Sequence, residues 1–77
     1  MNDRALALPC IVCDKALYEA FEGASNQPLD GVEFTSPGHY GSAYWDPMDE
    51  HVELAINVCD ECLKAKREST YVRTVEV

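Results

Sequence analysis

Positive charge is what this sequence has least of. Six Lys and Arg stand against 14 Asp and Glu, a formal charge of −8 over 77 residues. Phosphate recognition runs on Lys and Arg, so most of such a surface repels nucleic acid. Histidine is scarce too. Only His39 and His51 occur, and they do not make the clustered pattern of a His-based nuclease. Long apolar runs are missing. Ala5-Leu6-Ala7-Leu8 is too short for the core of a secretory signal, and nothing approaches a membrane span. There is no internal repeat and no low-complexity tract. With no export signal, the expected compartment is the cytoplasm, where thiols stay reduced.

What is present is cysteine, in two pairs. Cys10-Ile11-Val12-Cys13 lies near the start and Cys59-Asp60-Glu61-Cys62 near the end. In a reducing compartment this spacing favours metal over disulfides. Cys10, Cys13, Cys59 and Cys62 form the ligand set of a closed tetrahedral zinc site, one structural Zn²⁺ per chain. Four thiolates leave no coordination position for water, which argues against metal chemistry. A bound ion would take the net charge to about −10, since four thiolates outweigh one Zn²⁺. A chain this short buries only roughly 60–65% of its unfolded surface, so it needs such a staple. One domain over residues 1–77 is expected.

Local pattern gives the elements. Pro9 sets up the first pair, and Asp14 occupies the position after Cys13 that usually takes a positive φ. Ala16 to Glu22 reads as a short helix with Leu17, Ala20 and Phe21 on one face. Gly23 to Gly31 is rich in turn formers. Val32–Thr35 reads as a strand, Ser36-Pro37-Gly38 as a turn and His39–Trp45 as a second strand. Asp46-Pro47-Met48-Asp49 makes another turn. His51–Val58 is the strongest strand pattern: Val52, Leu54, Ile56 and Val58 form a buried face and Glu53, Ala55 and Asn57 a wetter one. Asp60 and Glu61 suit a helix start and Lys64, Lys66 and Arg67 its end, so a helix is expected from Cys59 to about Glu68. Thr70 to Val77 returns to β character as a final strand.

A Cys-x-x-Cys knuckle, a β-hairpin and a helix whose first turn carries the second pair resemble the treble-clef zinc finger. The implied class is α+β: a small zinc-stabilised domain with knuckle, antiparallel hairpin, C-terminal helix and final strand. More narrowly, the chain resembles a group of small uncharacterised bacterial and phage proteins. The match rests on Gly38-His39-Tyr40-Gly41-Ser42, on Asp46-Pro47 and on Ile56-Asn57-Val58-Cys59-Asp60-Glu61-Cys62-Leu63. It covers roughly residues 9–64. It implies the fold and the zinc and carries no activity. Asp14 departs from the Gly common in these knuckles, which touches only the local turn.

Other chemistries find less support in the same residues. Pro9-Cys10-x-x-Cys13 and His51-x-Glu53 contain the pieces of a deaminase signature, but in reversed order, and Cys59 and Cys62 would go unused. A redox pair would need strand and helix flanks that neither Cys-x-x-Cys has on both sides. Asp46, Asp49 and Glu50 supply too few oxygens in register for calcium. Tyr40, Tyr44 and Trp45 are either core cover or an exposed contact patch; the small size of the domain favours core. The expectation is a non-catalytic domain that binds another protein, a basic one suiting the acidic surface, or a second copy as a homodimer. The alternative is a nucleic-acid-binding finger using Lys64, Lys66 and Arg67.

Overall fold

The computed structural model describes residues 5–75. Among them the regular elements follow the order β1 (Gly31–Ser36), β2 (Leu54–Cys59) and α1 (Asp60–Ala65), closed by a 3₁₀ turn at Arg67–Ser69. The strands pair antiparallel as a two-stranded sheet, in the register Gly31↔Cys59, Val32↔Val58, Glu33↔Asn57, Phe34↔Ile56, Thr35↔Ala55 and Ser36↔Leu54. The coarse α+β class expected from the sequence is present.

Opposed residues in an antiparallel pair share one face of the sheet. Gly31, Glu33, Thr35, Ala55, Asn57 and Cys59 therefore lie on one side, Val32, Phe34, Ser36, Leu54, Ile56 and Val58 on the other. The N-terminal half covers the first side. Leu17 reaches over Gly31, where an added Cβ would meet Leu17 Cδ1 at 3.2 Å and Val58 O at 3.1 Å. Asn57 Nδ2 donates to Leu8 O at 2.9 Å, and Ile11 N donates to Asn57 O at 2.9 Å. The core is small: Cys10, Leu17 and Cys59, with Ala7, Val58 and Cys62 packed against it.

The expected helix over residues 16–22 does not form. Tyr18 and Glu19 instead form isolated antiparallel bridges to Leu6 and Pro28, and Leu17–Ala20 is held from both sides. Ala7 N donates to Leu17 O and Glu19 N to Ala5 O, while Leu29 N donates to Tyr18 O and Ala20 N to Gln27 O. A single short turn of helix gains little by itself, and those tertiary bonds satisfy the same backbone groups. The expected strand over His39–Trp45 is also absent, and residues 37–53 form one long loop. Gly38 and Gly41 take φ of +98° and +117°, and Ser42 Oγ accepts from Tyr44 N and Trp45 N, which curls the chain.

The strand expected from His51 begins only at Leu54 and ends on Cys59. Its faces are reversed at the centre: Asn57, placed on the wetter side, is 1% exposed. The helix expected to about Glu68 stops at Ala65, with the 3₁₀ turn beyond it. Tyr71–Val75 forms no strand, and the rest of that expected strand, Glu76 and Val77, lies outside the described residues.

Candidate metal centre

Two short segments carry the four thiols. The first is the turn Cys10–Cys13. It closes through Asp14 N to Cys10 O and Cys10 N to Lys15 O, both 2.9 Å. The closure needs a left-handed residue after Cys13, and Asp14 takes φ +64°, as the spacing predicts. Ile11 N bonds to Asn57 O, tying the turn to the outer edge of β2. The second segment begins where β2 ends. Cys59 is the N-cap of α1 at φ −70°, ψ 154°, and Cys62 sits one turn into the helix. The strand thus delivers one thiol and the helix the other. Asp60 and Glu61 occupy the helix's first turn, where its dipole favours acids.

These segments bring together the whole expected ligand set. The sulfurs of Cys10, Cys13, Cys59 and Cys62 all lie within 4.8 Å of one another. Cys13 Sγ is 3.8 Å from Cys59 Sγ, and all four cysteines are free thiols. Sulfurs about 2.3 Å from a tetrahedral ion stand about 3.8 Å apart, so the spacing fits one ion at the centre. Cys10 and Cys59 are buried, Cys13 is exposed and Cys62 half-buried, so the cluster opens on one side.

The electrostatics of the donor set also ask for a cation. The Cys59 backbone N–H draws the Cys10 thiol down to about 6; burial opposes this and the Cys13 and Val12 N–H groups add to it. Val12 N lies 3.4 Å from Cys10 Sγ. Cys62 is pushed up to about 12, first by the Cys59 and Cys13 thiols and then by burial. At Cys13 the Lys15 N–H and the Cys62 thiol pull down, but burial and the Cys10 and Cys59 thiols outweigh them. Cys10 is therefore the favoured thiolate, and Cys13 and Cys62 resist joining it. A divalent ion reverses that balance, because each thiolate then faces a positive charge.

At the rim, Lys15 Nζ lies 3.6 Å from Glu61 Oε1, linking the knuckle to the helix. Glu61 is the main cause of the raised Lys15 pKa. Among the described residues no other group of three or more metal-competent side chains occurs, and neither His39 nor His51 belongs to this one.

Three features had no clear sequence signal. Asn57 is buried, and its Oδ1 has no hydrogen-bond partner among the described residues. Trp45 Nε1 donates to Ser36 O at 2.8 Å, anchoring the long loop to the end of β1. Tyr40 and Tyr44, for which the sequence left core cover and an exposed patch open and size favoured core, are 97% and 84% exposed. That expectation took the stretch as a strand with one face inward, and the stretch is a loop. No protein family, curated protein or solved structure matches this chain.

Proposed function

We propose that this chain is a non-catalytic, zinc-stabilised domain of treble-clef type whose work is to bind another protein in the cytoplasm. The order of knuckle, hairpin and helix, with the second pair at the helix start, supports the treble-clef reading. Zinc is the ion that four thiolates at tetrahedral spacing suit in a reducing compartment. Four sulfurs saturate it, which supports a structural role. A cleft of ≈ 260 Å³ beside the knuckle has mainly apolar walls, among them Leu8, Pro9 and Ile56, with Asp14 as their lone carboxylate. Among the described residues, no helix is long and apolar enough to cross a membrane.

The observation that carries the reading is the loop between the strands. It is fixed at its base: Trp45 Nε1 reaches Ser36 O, Gly38 N donates to Ser36 Oγ, and Gly38 lies under Pro47. From that base Tyr40, Tyr44 and Met48 project almost fully exposed. Large side chains held on an anchored loop give contact area for little entropy, the pattern of interface hot spots. Asp46, Asp49 and Glu50 flank them, which suits a basic partner. The nucleic-acid alternative has weaker support: α1 is six residues long and begins with Asp60 and Glu61.

Two measurements test the reading. Elemental analysis and X-ray absorption of the purified protein should give one zinc per chain, with a sulfur-only shell at about 2.3 Å. A pull-down from the host, read by mass spectrometry, should capture a protein with the wild type and lose it with Tyr40→Ala or Tyr44→Ala. Both tyrosines are exposed, so thermal stability should change by no more than about 0.5 kcal/mol. Capture that is indifferent to both variants would remove the loop from the interface.

A further inference from the structure

The outer edge of β2 is paired along only part of its length. Ile11 N donates to Asn57 O, and Cys10 bridges Asn57 in parallel. The Asn57 carbonyl therefore points away from β1. Backbone direction alternates along a strand, so Ala55 turns its N–H and C=O the same way. A second bond gives the same phase: Asp60 N donates to Asp30 O at 2.8 Å, one step beyond the Gly31↔Cys59 pair. The hydrogen-bonded pairs are thus Val32↔Val58, Phe34↔Ile56 and Ser36↔Leu54, and Ala55 stands outside that ladder. Among the described residues, no backbone group bonds to Ala55 N or O from the outer side. An unpaired strand edge is a template for another extended chain.

The apolar cleft opens beside that edge. Leu8, Pro9 and Ile11 line it from the knuckle, and Ala55 and Ile56 from β2. Leu8 and Ile11 are exposed. The volume of ≈ 260 Å³ falls below the about 300 Å³ at which small-molecule pockets begin, so the cleft suits a side chain better than a whole ligand. Asn57 lines it too and brings an unmet bond. It is 1% exposed, its Nδ2 is spent on Leu8 O, and its Oδ1 has no partner among the described residues. A buried acceptor left unpaired costs free energy that an entering donor restores.

Charge selects the occupant. Asp14 is the only charged residue of the lining. The ion pair among the described residues is Lys15–Glu61, so Asp14 is unpaired among them. A segment with a cation and free N–H groups meets acceptors here. An acidic one is repelled by Asp14 and by a chain of formal charge −8. We infer that the cleft takes an extended segment of a partner protein. Its main chain pairs with Ala55, an aliphatic side chain fills the cleft, and a neighbouring Lys or Arg meets Asp14. This rests on the protein-binding reading above and gives it a second contact site, apart from the tyrosine loop.

The probe is a phage-displayed library of random short peptides, screened against the metal-loaded full chain. Enriched sequences should carry an aliphatic residue beside Lys or Arg. The best of them, made synthetically, should shift the amides of Leu8, Ile11 and Ala55 in an NMR titration and slow hydrogen exchange at Ala55. In an N-methyl scan of that peptide, one position should weaken binding at least about threefold, the loss of one main-chain hydrogen bond. Asp14→Asn keeps a residue that tolerates the left-handed turn and should weaken binding about two- to fivefold at low salt, and less at high salt.

No enrichment overturns the inference, and so does enrichment of acidic peptides. Binding indifferent to N-methylation at every position overturns the strand pairing. An Asp14→Asn variant that binds as the wild type overturns the charge contact. Amide shifts centred on Tyr40–Met48 overturn the site. Enrichment of the chain's own Tyr71–Val75 sequence would give the cleft to a second copy and overturn the partner assignment. Tyr40→Ala and Tyr44→Ala should leave peptide binding intact, so this result and capture by the loop fail independently.

Discussion

Single residues here act mostly through the backbone they permit. Asp14 is the clearest case. It holds φ +64° after Cys13, where any side chain costs something and Gly does not. Asp14→Gly should stabilise the metal-loaded protein by about 0.5 to 1 kcal/mol, the relief of strain exceeding the added unfolded-state entropy. Calorimetry should read this as a rise of several degrees, with zinc content unchanged. No rise would mean that Asp14 makes a compensating contact. This position was legible because the turn itself demands a left-handed residue, whatever surrounds it. Asn57 was not legible. Its neighbours Ile56 and Val58 alternate with it as a polar-out residue should. Its burial depends on Leu8 O, 49 positions away in sequence, and no local pattern contains that acceptor.

At the scale of elements, the structure divides into pieces that carry their own signals and pieces that borrow them. β2 and α1 carry theirs: alternating Leu54, Ile56 and Val58, then acids at a helix start. The segment Leu17–Ala20 borrows. It is held out of a helix because Ala5–Ala7 flanks it on one side and Gln27–Leu29 on the other, and a weak helical stripe cannot compete. The long loop is similar. Its aromatics read as a strand, yet its form comes from two positive-φ glycines and from the Trp45 anchor. Trp45→Phe tests that anchor. It keeps the ring and deletes the bond to Ser36 O, which is worth about 0.5 to 1.5 kcal/mol. Amide exchange should quicken across residues 37–53 and stay unchanged in α1 and the knuckle. Uniform acceleration would show that Trp45 supports the core and not the loop. Of the candidate metal centre, the four cysteines that cluster could all be read from spacing alone. Its asymmetry could not, since the exposure of Cys13 depends on how the knuckle sits against β2.

For the whole molecule, a bound metal ion and the proton would compete for the same sulfurs. In the metal-free chain, folding lowers the Cys10 pKa from 9.0 to about 6. The folded form binds fewer protons in between, so this contribution is complete above the unfolded value and lost as pH falls through about 6. Cys62 runs the other way, raised from 9.0 to about 12. Its contribution is complete below the unfolded value and lost as pH rises through about 12. Metal binding needs all four thiolates and so adds a dependence in the acid direction. Chelation at neutral pH, or acidification to about pH 5, should release the ion and unfold the chain together. Zinc release followed with a chromophoric chelator should coincide with the loss of ellipticity. Release without unfolding would show that the apolar contacts suffice alone.

The thiol cluster joins partners 46 positions apart along the chain, and this has a consequence for biosynthesis. A ribosome makes about 5 to 20 residues each second, so seconds separate the emergence of Cys13 from that of Cys59. Over that interval the knuckle holds half a ligand set, β1 lacks its mate, and Leu17 has no Cys59 to pack against. Nascent chains halted before Cys59 should remain open to proteases, while those that display Cys62 outside the tunnel should become resistant when zinc is supplied. On the proposed reading, a product truncated before Cys59 would hold only half of the ligand set and would stay unfolded.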